Sequence, residues 1–201
     1  MAANSLVSVV LSLLVLSMAS AESLRVYVGT YTGNGPSSSK GIYRSTLDLD
    51  TGTLTAPVLA AQAQNPSFVE IHPNGKSLYA VSEAGSEGRV FAYAIDAAGG
   101  LTLLNDASTG GAGPCHVNVD HAGRFVLVAN YGSGSASVIP IQSDGKLAAP
   151  TGFVQHEGSS VNPSRQKEPH AHSVNLSPDD RFVFVADLGI DKIMIYKLDG
   201  R

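Results

Sequence analysis

Apolar and polar residues follow the same order in three stretches of the chain. Each stretch begins with a short alternating segment, passes through a polar turn and ends in an almost continuous apolar run. The stretches are 65–81, 113–129 and 171–186. Alternation with a period of two is typical of a strand buried on one face, and a continuous apolar run is typical of a strand buried on both. The turn residues Gly75 and Gly123 are 48 residues apart, and Gly123 and Asp180 are 57 apart.

A repeat of this length, made of short strands and turns, predicts an all-β protein of the β-propeller class, with one repeat per blade. The first repeat is predicted to contain four strands, and the second and third follow the same order. These four strands lie at 41–49, 54–61, 66–71 and 77–82, and their counterparts in the third repeat lie at 136–141, 147–155, 172–176 and 182–187. Pro73-Asn74-Gly75 and Asp144-Gly145 are predicted hairpin turns, because Asn, Asp and Gly tolerate positive φ.

Partial units at 24–31 and 191–198 frame the repeats. Together they predict about fourteen strands, or about three and a half blades at four strands each. Such a ring cannot close, so apolar faces and strand edges stay exposed. We therefore expect the chain to be truncated and, in isolation, to aggregate or be unstable, because its last blade has no neighbour. The alternative is that two copies assemble into one ring.

The composition suits many short strands and argues against a nucleic-acid partner. Hydrophobic residues make up 43% and charged residues 15% of the chain, which contains 21 Gly and 10 Pro. Low charge with abundant Gly is typical of strands joined by tight turns. The net charge is −4 and no basic run is present, so we expect no nucleic-acid binding.

The first 21 residues predict a cleaved signal peptide. They contain no charged side chain, include an apolar core at 6–16 and end in the small residues Ala19-Ser20-Ala21. The alternatives are a short membrane anchor or a buried helix, although the apolar core is too short for a stable membrane span. We therefore expect a propeller domain at 22–201 and a secreted or periplasmic protein.

Cys115 is the only cysteine, so the chain cannot form an intrachain disulfide. The next residue is His116, which suggests a catalytic pair. Adjacent residues on a strand point to opposite faces, however, so Cys115 is better explained as a small buried apolar residue. His116 occupies the place of Phe68 and Ser173 in the other repeats. A position that varies while its neighbours stay apolar is expected to face the channel.

A polar insertion at 156–169 explains the longer second spacing. It begins with His156, carries Arg165 and Glu168, and leads into Pro169-His170-Ala171-His172. Polar loops on a regular scaffold are frequent sites of function. On a strand, His170 and His172 would point to one face. A His-x-His pair can hold a metal, but no third or fourth ligand is near in sequence, so neither metal nor cofactor is expected. The alternative for each residue is structural: a strand cap or a solvated loop charge.

Several motifs resemble the seven-bladed propeller lactonases, a family that includes propeller-type bacterial 6-phosphogluconolactonases and fungal carboxy-muconate cyclases. The most specific are Pro169-His170-Ala171-His172 and Ala186-Asp187-Leu188-Gly189-Ile190-Asp191. Supporting motifs lie at 26–31, 113–117 and 129–134. The resemblance covers the whole chain after residue 21, about the first half of a family member.

The resemblance implies a small-molecule lactone substrate and a cleft that uses His, Arg and Glu side chains. The nearest matches to the catalytic roles are His116, Arg165 and Glu168, and the candidates for substrate binding are His170, His172 and His156. Two alternatives remain: a carboxy-muconate cycloisomerase, and an exported propeller that binds a ligand without catalysis. An export signal does not match a cytosolic sugar phosphate, which favours an unphosphorylated lactone or a binding role.

The signal-peptide prediction has a direct test. Cleavage after Ala21 leaves Glu22 as the first residue of the mature protein. We expect mass analysis of protein isolated from its source organism to give that N-terminus. A soluble protein that still begins with Met1 would show that the segment is not removed.

Overall fold

The computed structural model describes residues 22–35 and 38–199, so the predicted signal peptide at 1–21 lies outside the described residues. These residues form 14 strands in four antiparallel sheets. The first two sheets contain β1 Ser23–Val28, β2 Gly41–Asp48 and β3 Val58–Gln62, then β4 Val69–Ile71, β5 Ser77–Ser82, β6 Arg89–Ile95 and β7 Leu101–Ser108. The last two contain β8 Pro114–Val119, β9 Phe125–Asn130, β10 Ser135–Pro140 and β11 Gly152–Gln155, then β12 Ala171–Leu176, β13 Phe182–Asp187 and β14 Lys192–Lys197.

The four sheets are successive blades of a propeller, which confirms the predicted fold class and its three and a half blades. Blades 2 and 3 have four strands each, whereas blade 1 (β1–β3) and blade 4 (β12–β14) have three. The innermost strands β4, β8 and β12 contact one another in turn, so the repeats are neighbours in space as expected. Among the described residues, no helix is long and apolar enough to span a membrane.

The prediction that one repeat makes one blade was wrong in its phase. Strands β2 and β3 pair with β1, and β4 and β5 pair with β6 and β7. The chain therefore leaves each blade at its outer strand and enters the next at its inner strand in the middle of a repeat. The pattern of apolar residues gives the period of the repeat, but backbone pairing decides where each sheet begins.

Two predicted strands are shorter than expected because proline interrupts them. The strand predicted at 54–61 begins at Val58, and the one predicted at 147–155 begins at Gly152. Pro57 and Pro150 precede these starts, and a proline cannot donate a hydrogen bond to the ladder. Leu54 and Leu147 make only isolated bridges, with Leu47 and Ile141.

The hairpin between the first two strands of a blade has the same geometry in all three repeats. Gly75, Gly123 and Asp180 occupy one position, with φ of 70°, 68° and 56°. The N–H of each donates to the carbonyl three residues earlier at 2.8 to 2.9 Å. Glycine adopts this left-handed backbone without strain, and Asp is among the few other residues that tolerate it.

The continuous apolar runs are buried on both faces, as their sequence pattern predicts. On β5, Leu78 and Ala80 pack toward blade 1, whereas Tyr79 and Val81 pack toward blade 3. On β9, Val126 and Val128 face blade 2, and Leu127 and Ala129 face blade 4. Each of these strands therefore contributes to two interblade cores. In contrast, the described part of the chain has no further blade beside β14, and Ile193 and Ile195 of this strand are exposed.

Tyrosine hydroxyls tie neighbouring blades together at equivalent positions. The Tyr79 hydroxyl donates to the carbonyl of Gly145 at 3.1 Å, and the Tyr27 hydroxyl donates to the carbonyl of Gly99 at 3.0 Å. Each acceptor glycine lies in the outer hairpin of the next blade. Burial raises the pKa of Tyr79 to about 12, so its hydroxyl remains a hydrogen-bond donor.

Replacement of Tyr79 by Phe is expected to lower the free energy of unfolding by about 1–2 kcal/mol, because the buried Gly145 carbonyl loses its partner. Tyr27 is only half-buried, so water can replace its hydroxyl. Tyr27→Phe is the matched control and should cost clearly less. Urea unfolding of the two variants measures the difference, and equal losses would contradict the importance of the buried bond.

Candidate functional site

Two inner strands carry a β-bulge at the same place. In β8 the register shifts between Pro114 and His116, and in β12 it shifts between Ala171 and Ser173. The extra residues are Cys115 and His172. A bulge redirects a side chain relative to the regular strand. The aligned repeats place Ser67 of blade 2 at the same position.

A second equivalent set follows the strand that pairs with the inner strand. Its four members, one from each blade, are Tyr31, Glu83, Tyr131 and Leu188. Both sets line one cavity of about 470 Å³, together with Gly113, Gly132 and Arg165. The cavity therefore lies at one end of the propeller, where the inner strands begin.

A different cavity, of about 430 Å³, lies between blades 3 and 4. Its lining includes Phe125, Leu127, Val138, Val154 and Tyr196. Apolar side chains dominate this lining, whereas a binding site for a polar molecule needs a few converging polar groups. The cavity at the end of the propeller is therefore the candidate functional site.

Among the described residues that line the candidate cavity, Glu83 is the only carboxylate. Its Oε2 accepts a hydrogen bond from the Tyr31 hydroxyl at 2.8 Å, and its Oε1 accepts one from Ser67 Oγ at 2.5 Å. The bond to Glu83, with burial, raises the pKa of Tyr31. Sequence reasoning missed Glu83. Its position in the repeat, equivalent to Tyr131 and Leu188, is the signal that could have identified it.

Tyr131 brings together the two ends of the predicted site. Arg165 Nη2 donates to the Tyr131 hydroxyl at 3.2 Å. The His170 ring stacks on the Tyr131 ring with centroids 4.5 Å apart, and the His172 ring meets it edge-on at 5.8 Å. Both histidines thus contact the same aromatic side chain. Arg165 and His172 line the cavity, whereas His170 packs behind Tyr131.

His116 lies beside the cavity without lining it. Its neighbour Val117 is fully buried in the core, so His116 lies on the opposite face of β8. Its ring packs against Phe68 with centroids 4.2 Å apart, and its Nδ1 lies 3.4 Å from the backbone N–H of Val174. Burial, and then the nearby His172, lower the pKa of His116. The imidazole is therefore neutral at pH 7.

Two other predicted site residues lie away from the cavity. Glu168 is exposed and is not among the lining residues. His156 does not reach the channel mouth, because its side chain is buried with Nδ1 2.6 Å from Asp187 Oδ2. Within 22–35 and 38–199, no group of three or more His, Cys, Asp or Glu side chains is arranged to hold a metal ion.

Cys115 is half-buried and lines the cavity. Its Sγ lies 3.4 Å from the carbonyl oxygen of His172 and 3.6 Å from that of Ala171. Burial, reinforced by the negative charge of Glu83, raises the pKa of the thiol to about 11. Because only the thiolate is a strong nucleophile, Cys115 is not an activated nucleophile at neutral pH.

Comparison with known proteins identifies the relatives of the chain. The family model described as "Lactonase, 7-bladed beta-propeller" matches residues 25–201. A 6-phosphogluconolactonase of Bacillus subtilis (strain 168) is 44% identical over 176 residues, which cover 87% of this chain and 49% of that protein. A 6-phosphogluconolactonase of Formosa agariphila is 32% identical over 179 residues, covering 87% and 50%.

A solved structure agrees with these matches. The periplasmic gluconolactonase of Pseudomonas aeruginosa superposes with a TM-score of 0.80 at 34% identity, covering 88% of this chain and 50% of that chain. The chain therefore spans about half the length of the relatives that it matches. The resemblance noted from the sequence motifs is confirmed.

The raised pKa of the Cys115 thiol in the cavity can be tested by alkylation. The alkylation rate by iodoacetamide should be low at pH 8 and rise with pH until about 11, because the reactive thiolate forms only there. The same chain unfolded in urea provides the control, with an ordinary thiol pKa near 8.5. A rate in the folded protein that levels off below pH 9 would contradict the assignment.

Proposed function

The chain belongs to the seven-bladed β-propeller lactonase family, and from this premise we propose that it hydrolyses the ring ester of a sugar-derived lactone. The observation that carries the proposal is the convergence of Arg165, His172 and Glu83 on one cavity. The names of its relatives, 6-phosphogluconolactonase and gluconolactonase, indicate the same substrate class.

Lactone hydrolysis needs an activated water and a donor for the developing oxyanion. A water oxygen attacks the carbonyl carbon while a base takes the water proton. The tetrahedral intermediate then collapses, the bond between the carbonyl carbon and the ring oxygen breaks, and the ring oxygen is protonated. The product is an open-chain hydroxy acid.

We assign the role of general base to His172. Its side chain is exposed and lines the cavity, and a neutral imidazole can accept a proton near pH 7. His116 is the predicted catalytic residue that lies beside it. Because the pKa of His116 is lowered, it places no competing positive charge there at neutral pH. We therefore assign His116 the role of a neutral neighbour of the general base, outside the cavity lining.

We assign binding of the lactone carbonyl or carboxylate to Arg165. A guanidinium offers several N–H donors in a fixed fork. Within the described residues, Arg165 uses Nη2 for the Tyr131 hydroxyl, which leaves its other donors for the substrate. Glu83 takes the role that the sequence resemblance gave to Glu168. Its oxygens already accept from Tyr31 and Ser67 and have lone pairs left to accept from sugar hydroxyls.

We further propose that the substrate is an unphosphorylated lactone outside the cytoplasm. The predicted signal peptide at 1–21 and the periplasmic gluconolactonase among the relatives support this choice. The carboxylate of Glu83 in the cavity also disfavours a phosphate dianion. The 6-phosphogluconolactonase relatives support the phosphorylated substrate instead, so both lactones belong in the assay.

Kinetics of lactone hydrolysis test the assigned residues. His172→Ala is expected to lower kcat by about a hundredfold or more, the usual scale for loss of a general base. Arg165→Ala should raise KM if it binds a substrate anion, or lower kcat if it stabilises the oxyanion. Lys167→Ala is the matched control, because Lys167 lies in the same loop, is exposed and does not line the cavity.

Acid release from glucono-δ-lactone and its 6-phosphate, corrected for spontaneous hydrolysis, gives these constants. Wild-type kinetics in both cavity variants would refute the site. Lactone binding without any hydrolysis by the wild-type protein would instead favour a non-catalytic binding module. Ring closure of a carboxylated muconate in the absence of hydrolysis would favour a cycloisomerase.

A further inference from the structure

We propose that Asp187, held by His156, positions His170 and His172 at the cavity. Neither Asp187 nor His156 lines this cavity, so both act through other residues as positioning residues. The kinetic part of the proposal rests on the proposed function, in which His172 is the general base. The structural part concerns only the path of the backbone into β12.

The Asp187 carboxylate joins the start of β12 to the end of β13. Its Oδ1 accepts the backbone N–H of His170 at 2.7 Å, of Gly189 at 2.9 Å and of Ile190 at 3.2 Å. Its Oδ2 faces His156 Nδ1 at 2.6 Å. Both the Asp187 and the His156 side chains are fully buried. A buried carboxylate is stable only with such a set of partners, so the bonded segments are held in one arrangement.

Blade 4 differs from blades 2 and 3 in how the chain enters its inner strand. Two residues before the cavity position, blades 2 and 3 have Asn65 and Gly113, with φ of 43° and 58°. The equivalent residue of blade 4, His170, is not among the residues with positive φ. Its N–H is bonded to Asp187 instead. The entry into the inner strand of blade 4 is therefore held by the Asp187 side chain, whereas the entries of blades 2 and 3 turn through a left-handed residue.

The position of Asp187 carries no carboxylate in the neighbouring blades. Ser82 is its equivalent in blade 2 and donates from Oγ to the carbonyl of Gln64 at 2.7 Å. Asn130 is its equivalent in blade 3 and donates from Nδ2 to Ser135 Oγ at 3.1 Å. The acidic side chain is thus specific to the blade that supplies His172.

His156 connects this arrangement to the insertion that carries Arg165. The insertion contacts the end of β13 a second time, where Gln166 Nε2 donates to the carbonyl of Leu188 at 2.8 Å. The His156 Nε2 is buried and has no hydrogen-bond partner among the described residues, so the bond to Asp187 is the polar contact that orients this ring. Loss of the His156 side chain would create a cavity and would leave the buried Asp187 Oδ2 without its hydrogen-bond donor. The segment that contains His170 would then be held less firmly.

Three variants test the proposal. In His156→Ala, the backbone amide of His170 should exchange its hydrogen at least about tenfold faster, and kcat should fall about tenfold or more while KM stays within about threefold. His156→Asn should restore kcat to within about threefold of wild type, because its amide nitrogen can donate to Asp187 from the place of Nδ1. Asp187→Asn, which is nearly isosteric, should lower kcat by about tenfold, because its single amide oxygen cannot accept both from the backbone N–H groups and from His156.

His121→Ala is the matched control. It removes another His–Asp contact, in which His121 Nδ1 lies 2.5 Å from Asp180 Oδ1 at the opposite end of the strands. This variant should leave kcat and His170 exchange unchanged. Wild-type exchange and kcat in a folded His156→Ala protein would overturn the proposal. If that variant does not fold, the same result in Asp187→Asn would overturn it.

The exchange measurement separates the two hypotheses. If the wild-type protein hydrolyses no lactone, the proposed function fails, whereas accelerated His170 exchange in His156→Ala still supports the positioning role of Asp187. If hydrolysis is present and His170 exchange does not respond to His156→Ala or Asp187→Asn, the positioning role fails and the proposed function stands.

Discussion

The structure depends on the burial of β5 and β9 on both faces. Successive residues of these strands pack into the cores on either side, so each strand belongs to two interblade layers at once. Such packing fixes the position of a blade relative to both neighbours, because an interior at crystal-like density tolerates little displacement. The ends of these strands are therefore rigid points, and from them Glu83 and Tyr131 extend into the cavity.

The cavity is formed by departures from the regular repeat on this rigid frame. The bulges in β8 and β12 turn Cys115 and His172 toward the cavity, and the insertion adds Arg165. Tyr131 then links Arg165 to His172 through one hydrogen bond and one ring contact. The scaffold supplies equivalent positions, and each blade fills its position with a different chemical group.

Much of the fold could be predicted from the sequence, because a short continuous apolar run among turn signals is best explained by a strand buried between two blades. The bounds of β5 and β13 agree with the predicted 77–82 and 182–187. The phase of the blades could not be predicted, since apolar periodicity does not specify backbone partners.

For the site, the insertion and the motif that follows it pointed to Arg165 and His172, which line the cavity. The bulges could not be predicted. A bulge changes which neighbour faces the cavity, so Cys115 lines it and His116 does not. Glu83 was missed because no insertion or motif marks it.

The offset between repeat and blade has a consequence for how such a chain can change its length. Every repeat contains the outer strands of one blade and the inner strands of the next, so the chain passes from blade to blade within the repeat. Removal of one whole repeat would join the inner strands of one blade to the outer strands of the next blade, and the resulting sheet would keep the ordinary strand order. A ring built in this way can gain or lose one blade without leaving half a sheet unpaired at the junction. Duplication within a gene therefore changes the size of the ring in whole steps.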